Sequence, residues 1–117
     1  MATETSPVAI ARSFTQAWTS HDMETAASYL AADVVFDGPA GHSVGADAYL
    51  KGLQAFASTV SGLKLLAALG DDTQALIMYE VTTPAGTLTC AEHLTFTVGG
   101  TIQTDRLTFA QNQAPAN

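Results

Sequence analysis

Residues 87–109 read TLTCAEHLTFTV-GG-TIQTDRLTF, and this stretch decides the fold. Two runs of threonine, aliphatic and aromatic residues flank a pair of glycines, a pattern typical of a long β-hairpin. It predicts strands from Thr87 to Val98 and from Thr101 to Phe109, with Gly99-Gly100 as a two-residue turn. In that register Glu92 lies opposite Leu107.

The predicted register sorts the hairpin side chains into two faces, because partners on neighbouring strands point to the same side. The mostly apolar face must be the inner one, and it contains two carboxylates, Glu92 and Asp105, at diagonal positions about 7–8 Å apart. The outer face carries His93, Arg106 and, by this register, Ile102. Its other members are mainly threonines: Thr89, Thr95, Thr97, Thr104 and Thr108. A broad face with so little charge predicts a two-fold homodimer through the outer side of the sheet.

The first half of the chain has helical patterning. Ser6-Pro7 is a helix start signal, and apolar residues follow it at helical spacing up to Trp18. Asp22 can cap a second helix that ends near Ala31, and a third is expected from Gly45 to Ser58. Strands are predicted at Val34 to Phe36, before a turn over Asp37 to Gly41, and then at Leu63 to Leu69 and Ala75 to Thr82. The pattern leaves open whether Tyr79 or Glu80 faces inward.

This order predicts an α+β domain: helices on one face of a curved, mostly antiparallel sheet, which forms a cone with a mouth. The 117 residues suit one domain, expected to span residues 1–110 and to be followed by a polar, frayed tail over 111–117.

Charge and cysteine content exclude several classes of function. The chain has 11 acidic and 4 basic residues and a net charge of −7, which argues against nucleic acids and anionic membranes as partners. The beginning of the sequence does not resemble a secretory signal and no apolar run suits a spanning helix, so a cytoplasmic protein is expected. No His, Asp or Glu pair has metal-ligand spacing, and the one cysteine, Cys90, suits a core position, so neither metal nor cofactor is expected.

Three stretches carry a resemblance to a known superfamily. They are residues 17–24 (AWTSHDME), residues 30–36 (LAADVVF) with 45–49 (GADAY), and residues 92–96 (EHLTF) with 99–102 (GGTI). Together they resemble the nuclear transport factor 2-like superfamily, and within it the SnoaL-like branch. This resemblance implies the cone-shaped fold. It implies less about activity, since the superfamily includes isomerases, cyclases, epoxide hydrolases, dehydratases and non-catalytic proteins.

The resemblance also suggests roles for individual residues. Glu92 is similar in place to the protonated aspartate of ketosteroid isomerases, an enzyme that serves as the standard example of pKa tuning. Phe14 stands where those enzymes have a tyrosine, and their catalytic base falls at Gly38, beside Asp37. Asp105 resembles the acid/base aspartate of SnoaL-like polyketide cyclases. The Arg-x-Asp motif of the epoxide hydrolases has no clear equivalent.

These observations predict a small acid/base enzyme of isomerase or cyclase type, without cofactor, acting on an apolar, carbonyl-bearing molecule. Asp105 would be the base, Glu92 a neutral hydrogen-bond donor to the enolate oxygen, and Asp37 a third candidate. The aromatic residues expected to wall the pocket are Phe14, Trp18, Tyr49, Phe56, Tyr79, Phe96 and Phe109. Two alternatives remain open: a non-catalytic domain that binds a small hydrophobic ligand, and a dimerisation or accessory module.

Overall fold

Three helices precede a long strand meander in the described part of the chain. The structure is a computed structural model that describes residues 6–39 and 41–111, so residues 112–117 of the expected tail lie outside it. The elements in chain order are α1 (Pro7–Thr19), α2 (Met23–Ser28), β1 (Leu30–Gly38), β2 (Gly41–Val44), α3 (Ala46–Ala57), β3 (Gly62–Gly70), β4 (Gln74–Thr83), β5 (Gly86–Phe96) and β6 (Ile102–Gln111). The α+β class is therefore confirmed.

The described strands form one six-stranded sheet in the order β2-β1-β6-β5-β4-β3. β3 to β6 are an antiparallel meander, β2 is antiparallel to β1, and β1 runs parallel to β6. α1 packs against β3 and β4, while α3 packs against β1 and β2. The apolar core lies between these helices and one face of the sheet.

The helix starts follow the capping residues of the sequence. Ser6 Oγ accepts from the Ala9 amide at 3.2 Å, and Asp22 Oδ1 accepts from the Thr25 amide at 3.2 Å. α2 is shorter than predicted, because Tyr29 is its C-cap. The buried residues Leu30 and Ala31, expected at the helix end, instead begin β1.

The hairpin between β5 and β6 keeps the predicted register over most of its length, with Glu92 opposite Leu107 and Leu94 opposite Asp105. Its turn differs from the prediction. Gly100 donates to Thr97 O at 3.0 Å, and Thr97 donates to Thr101 O at 2.8 Å, so the loop has three residues, not two. Gly100 has φ 90°, as the last position of such a loop requires.

A β-bulge compensates for this longer loop. Phe96 lies opposite Ile102 and Thr95 opposite Thr104, so Gln103 has no partner on β5. Ile102 is fully buried, which corrects its expected outer position. The hairpin between β4 and β5 has a shorter loop than the predicted strand bounds, Thr82 and Thr87, imply. Thr83 pairs with Gly86, and in this register Tyr79 points into the core.

The outer face of the sheet carries the predicted threonines Thr89, Thr95, Thr104 and Thr108, together with His93 and Arg106. It also has an apolar strip on β3 and β4 that the sequence analysis did not single out. Leu69 and Leu76 lie opposite each other there and are 69% and 55% exposed, and Met78 follows on the same face. The outer face is therefore more hydrophobic than its threonines alone indicate.

Candidate functional site

A cavity of about 340 Å³ lies between the concave face of the sheet and helices α1 and α3. Its walls are mostly carbon. The lining residues are Trp18, Phe36, Pro39, Gly41, His42, Ser43, Ala48, Tyr49, Gly52, Leu53, Phe56, Tyr79, Glu92, Leu107 and Phe109. An apolar enclosure of this size with a few polar groups is the usual form of a small-molecule site.

Glu92 on β5 and Asp105 on β6 both face this interior and are 4% and 1% exposed. Each accepts a hydrogen bond from a buried tyrosine. Tyr79 Oη donates to Glu92 Oε1 at 2.7 Å, and Tyr49 Oη donates to Asp105 Oδ2. Both carboxyls therefore face inward, as strand alternation predicts. Their hydrogen bonds with two tyrosines were not predicted from the sequence.

The two carboxyls differ in depth. Glu92 lines the cavity, whereas Asp105 is not among the lining residues and lies behind Tyr49. No N–H or O–H group among the described residues donates to Asp105 Oδ1. Of the two carboxyls, Glu92 is therefore the one that a ligand in the cavity can reach.

Burial raises the pKa of Asp105 well above its usual range. The negative charge of Glu92 and a hydrogen bond shared with that residue raise it further, and the hydrogen bond from Tyr49 opposes them. Of these two carboxyls, Asp105 is therefore the one whose protonated form the structure favours. Within residues 6–39 and 41–111, no lysine or arginine lies close enough to Glu92 to form an ion pair with it.

Both tyrosines remain protonated donors. Burial raises the pKa of Tyr49 and of Tyr79 well above 10, and the nearby carboxyls raise it further. Burial likewise raises the pKa of the adjacent Cys90 thiol to about 11, which agrees with a core role for this residue.

Five of the seven predicted aromatic residues line the cavity: Trp18, Tyr49, Phe56, Tyr79 and Phe109. The other two do not. Phe14 lies in the core with its ring 6.2 Å from that of Tyr49, and Phe96 packs against the core near the hairpin turn. Helical spacing places Phe14 on the apolar face of α1, but it does not show which residues of that face reach the cavity.

Asp37 is placed differently from the prediction. It lies on β1 rather than in a turn, and it is not among the cavity-lining residues. Its carboxylate contacts His42 Nδ1 at 2.6 Å, and both side chains are about half exposed. Any effect of Asp37 on the cavity therefore acts through His42, which does line it.

One wall of the cavity, formed by Phe36 and the short strand β2, is not predicted from the sequence. The Phe36 ring stacks on Tyr49 at 4.9 Å, and Ser43 pairs with Phe36 across the two strands. A four-residue strand gives too short an alternation to recognise. The signal that was available is the alternation of Val34 and Phe36, which places both on the inner face.

The lack of a side chain at Gly38 leaves space for the Phe36 ring in this wall. A Cβ at Gly38 would lie 2.7 Å from the Phe36 ring, whereas a Cβ at Gly52 on α3 would meet nothing within 4 Å. We expect Gly38→Ala to lower the free energy of unfolding by about 1–3 kcal/mol, because the Phe36 ring must leave its stack on Tyr49. Gly52→Ala should instead raise it by about 0.5–1 kcal/mol through helix propensity. Urea denaturation of both variants checks these opposite signs, and equal effects would contradict the steric argument.

The described segments lack two further features. No group of three or more His, Cys, Asp or Glu side chains there could hold a metal ion. None of the helices described is both long and apolar enough to cross a bilayer.

Comparison with known proteins finds solved structures that are similar to this chain in sequence and in fold. No curated protein matches the chain. Among solved structures, a protein from Kribbella flavida DSM 17836 is 35% identical, with a TM-score of 0.85, and the match covers 92% of this chain and 88% of that one. An NTF2-like protein from Cytophaga hutchinsonii is 17% identical, with a TM-score of 0.77 over 94% of this chain and 95% of that one.

A steroid delta-isomerase from Pseudomonas aeruginosa is also similar. It is 15% identical, with a TM-score of 0.74 over 86% of this chain and 76% of that one, a likeness that shows the fold alone. The sequence itself gives a more specific result, because the model of the SnoaL-like domain matches residues 11–104. The chain therefore belongs to the SnoaL-like domain family.

Proposed function

We propose that this protein is an acid/base enzyme of isomerase or cyclase type, which acts without cofactor on a small, apolar, carbonyl-bearing molecule. The observation that carries the proposal is the pairing of Glu92, at the cavity surface, with Asp105, a more deeply buried carboxyl whose pKa is raised by burial. Two carboxyls with different protonation states are the usual means of obtaining a base at neutral pH.

Glu92 is the base in this proposal. It removes a proton from the carbon next to the carbonyl group, and its position at the cavity surface is what a base in direct contact with substrate requires. Tyr79 holds Glu92 through the 2.7 Å hydrogen bond. Asp105 is a positioning residue in this proposal: it is an uncharged carboxyl group next to Glu92. These roles reverse those expected from the sequence, because strand alternation gives the face of a residue but not its depth.

The walls of the cavity favour a neutral, apolar substrate. Trp18, Phe36, Tyr49 and Phe56 present aromatic surface, and a cavity of about 340 Å³ suits a small molecule rather than a polymer. An anionic substrate would meet Glu92 with no lysine or arginine among the lining residues. The similar fold of the steroid delta-isomerase from Pseudomonas aeruginosa agrees with this class by analogy of fold.

The second candidate is a binding domain without catalysis. It is favoured by the bond from Tyr79 to Glu92, since a carboxylate that already accepts a hydrogen bond is a weaker base. Binding of an apolar ketone without proton removal would support this alternative.

Proton exchange distinguishes the two candidates. The probe is trans-2-decalone, a saturated bicyclic ketone whose protons next to the carbonyl exchange slowly with solvent. In D2O the enzyme should accelerate their replacement by deuterium, as measured by proton NMR. Binding of the ketone without acceleration above the rate in buffer would exclude the acid/base proposal and leave the binding domain.

We also propose that the outer face of the sheet joins two copies of the chain. Leu69, Leu76 and Met78 expose an apolar strip on that face, beside threonines with little charge. Light scattering should therefore give twice the chain mass of 12.1 kDa, and Leu76→Lys should reduce it to one chain. Val98→Lys at the fully exposed hairpin turn is the matched control and should leave the mass unchanged. A wild-type protein that is monomeric at micromolar concentration would contradict this assembly.

A further inference from the structure

Trp18 carries an unpaired hydrogen-bond donor in the cavity wall. Its side chain is 2% exposed and lines the cavity, and its indole Nε1 has no hydrogen-bond partner among the described residues. A buried donor without a partner costs free energy, so such groups in native proteins call for an explanation. Nε1 itself is almost fully buried, so a ligand oxygen supplies the missing acceptor when a slight rotation of the indole turns its N–H into the cavity.

The indole lies on the same side of the cavity as the proposed base. Its ring packs edge-on against Tyr79 at 6.1 Å, and Tyr79 Oη donates to Glu92. The ring of Phe56, 5.7 Å away, also packs against the indole. Trp18 and Glu92 thus share one neighbour and are fixed relative to each other by packing.

Few other donors are free to bind a ligand there. Tyr49 and Tyr79 both donate to carboxyls, and Glu92 only accepts hydrogen bonds when charged. Ser43 Oγ is also unpartnered among the described residues, and His42 lines the cavity too, but both lie on β2, which three strands separate from the β4 strand of Tyr79. Among these side-chain donors, Trp18 is the one that packs beside Tyr79, the neighbour of Glu92.

We propose that the indole N–H of Trp18 holds the carbonyl oxygen of the substrate while Glu92 removes the neighbouring proton. This inference rests on the proposed function. The C–H electron pair becomes the C=C bond of the enolate, the carbonyl π pair moves onto the oxygen, and the proton goes to Glu92. The indole N–H stabilises the oxygen as its negative charge grows, and Glu92 returns the proton to carbon.

The first test uses binding alone, so that it is independent of turnover. Trp18 is the sole tryptophan of the sequence, and it therefore gives a single indole N–H signal in a proton–nitrogen NMR spectrum. Titration with trans-2-decalone should move this signal downfield, as a new hydrogen bond requires. trans-Decalin has the same carbon skeleton without the oxygen and should not produce this downfield shift. Equal responses to both compounds, or no response to either, would overturn the proposal.

The second test compares affinities in variants by calorimetry. The ratio of decalone to decalin affinity should fall about three- to tenfold in Trp18→Phe, the value of one neutral hydrogen bond. The ratio cancels the effect of the smaller ring on cavity volume. Ser43→Ala is the matched control and should leave the ratio unchanged; a fall there without one in Trp18→Phe would overturn the assignment. If the ratio behaves as expected but no deuterium exchange occurs, the acid/base function fails and the binding role of Trp18 stands.

Discussion

Glu92→Gln is expected to slow the deuterium exchange of trans-2-decalone by about 10²–10⁴-fold, the usual contribution of a positioned general base. An amide cannot take up a proton at neutral pH, whereas its oxygen can still accept the hydrogen bond from Tyr79. The variant should therefore keep its fold and its affinity for the ketone. NMR exchange rates, calorimetric binding and thermal melting of the same preparation separate these effects.

Glu80→Gln is the matched control for this experiment. Glu80 precedes a core position on β4, lies opposite Thr89 and Lys64, and points to the outer face of the sheet. Its substitution removes the same charge at a distance from the cavity, so the exchange rate should be unchanged. An exchange rate that is equal in Glu92→Gln and wild type would exclude Glu92 as the base.

Asp105→Asn is expected to change the pH dependence of stability. The pKa of Asp105 is raised in the folded state above its ordinary value of 3.8, chiefly by burial, so the folded protein binds a proton that the unfolded chain releases. The stabilisation is complete below pH 3.8 and is lost as the pH rises through the folded pKa. Within that window the free energy of unfolding should fall by up to about 1.4 kcal/mol per pH unit from this group.

The asparagine variant should lack this decline and be more stable than wild type at pH 8. Its amide oxygen can accept from Tyr49, and its nitrogen can donate towards Glu92, as the protonated acid does. Urea denaturation at intervals from pH 4 to pH 9 measures the difference. Asp72→Asn, in the exposed turn before β4, serves as the control for loss of one negative charge. A parallel decline in wild type and Asp105→Asn would show that Asp105 does not carry the proton.

The sequence predicts most of the fold because its signals are local. Ser6-Pro7 and Asp22 mark helix starts, and alternation in residues 87–109 marks the long hairpin. The missed features depend on partners that are distant in sequence. β1 is lengthened by its parallel pairing with β6, and β2 exists because it pairs with β1. Gln111, expected in the tail, ends β6 because it pairs with Leu88.

The candidate site was predictable in part for a similar reason. Strand alternation places Glu92 and Asp105 on the inner face, since period two depends on the sequence alone. It does not show that Tyr49, 56 positions from Asp105 along the chain, covers that carboxyl. The roles proposed above differ from those expected from the sequence because of this tertiary contact. The indole of Trp18 was likewise predictable only in part. Its spacing along α1 predicts a core position, but only the packing shows that its N–H lacks a partner among the described residues.

The bulge at Gln103 also affects which changes of chain length β6 can accept. Gln103 is the residue that has no partner on β5, and its side chain donates to Asp33 Oδ1 at 3.2 Å. Its deletion would remove the bulge and leave a regular strand, with Ile102 and Asp105 still facing inward. Deletion of Arg106 would instead reverse the faces of all the residues after it, Leu107 included. Length variation among relatives of this chain should therefore concentrate at the bulge and the adjoining turn, where it leaves the carboxyl pair in place.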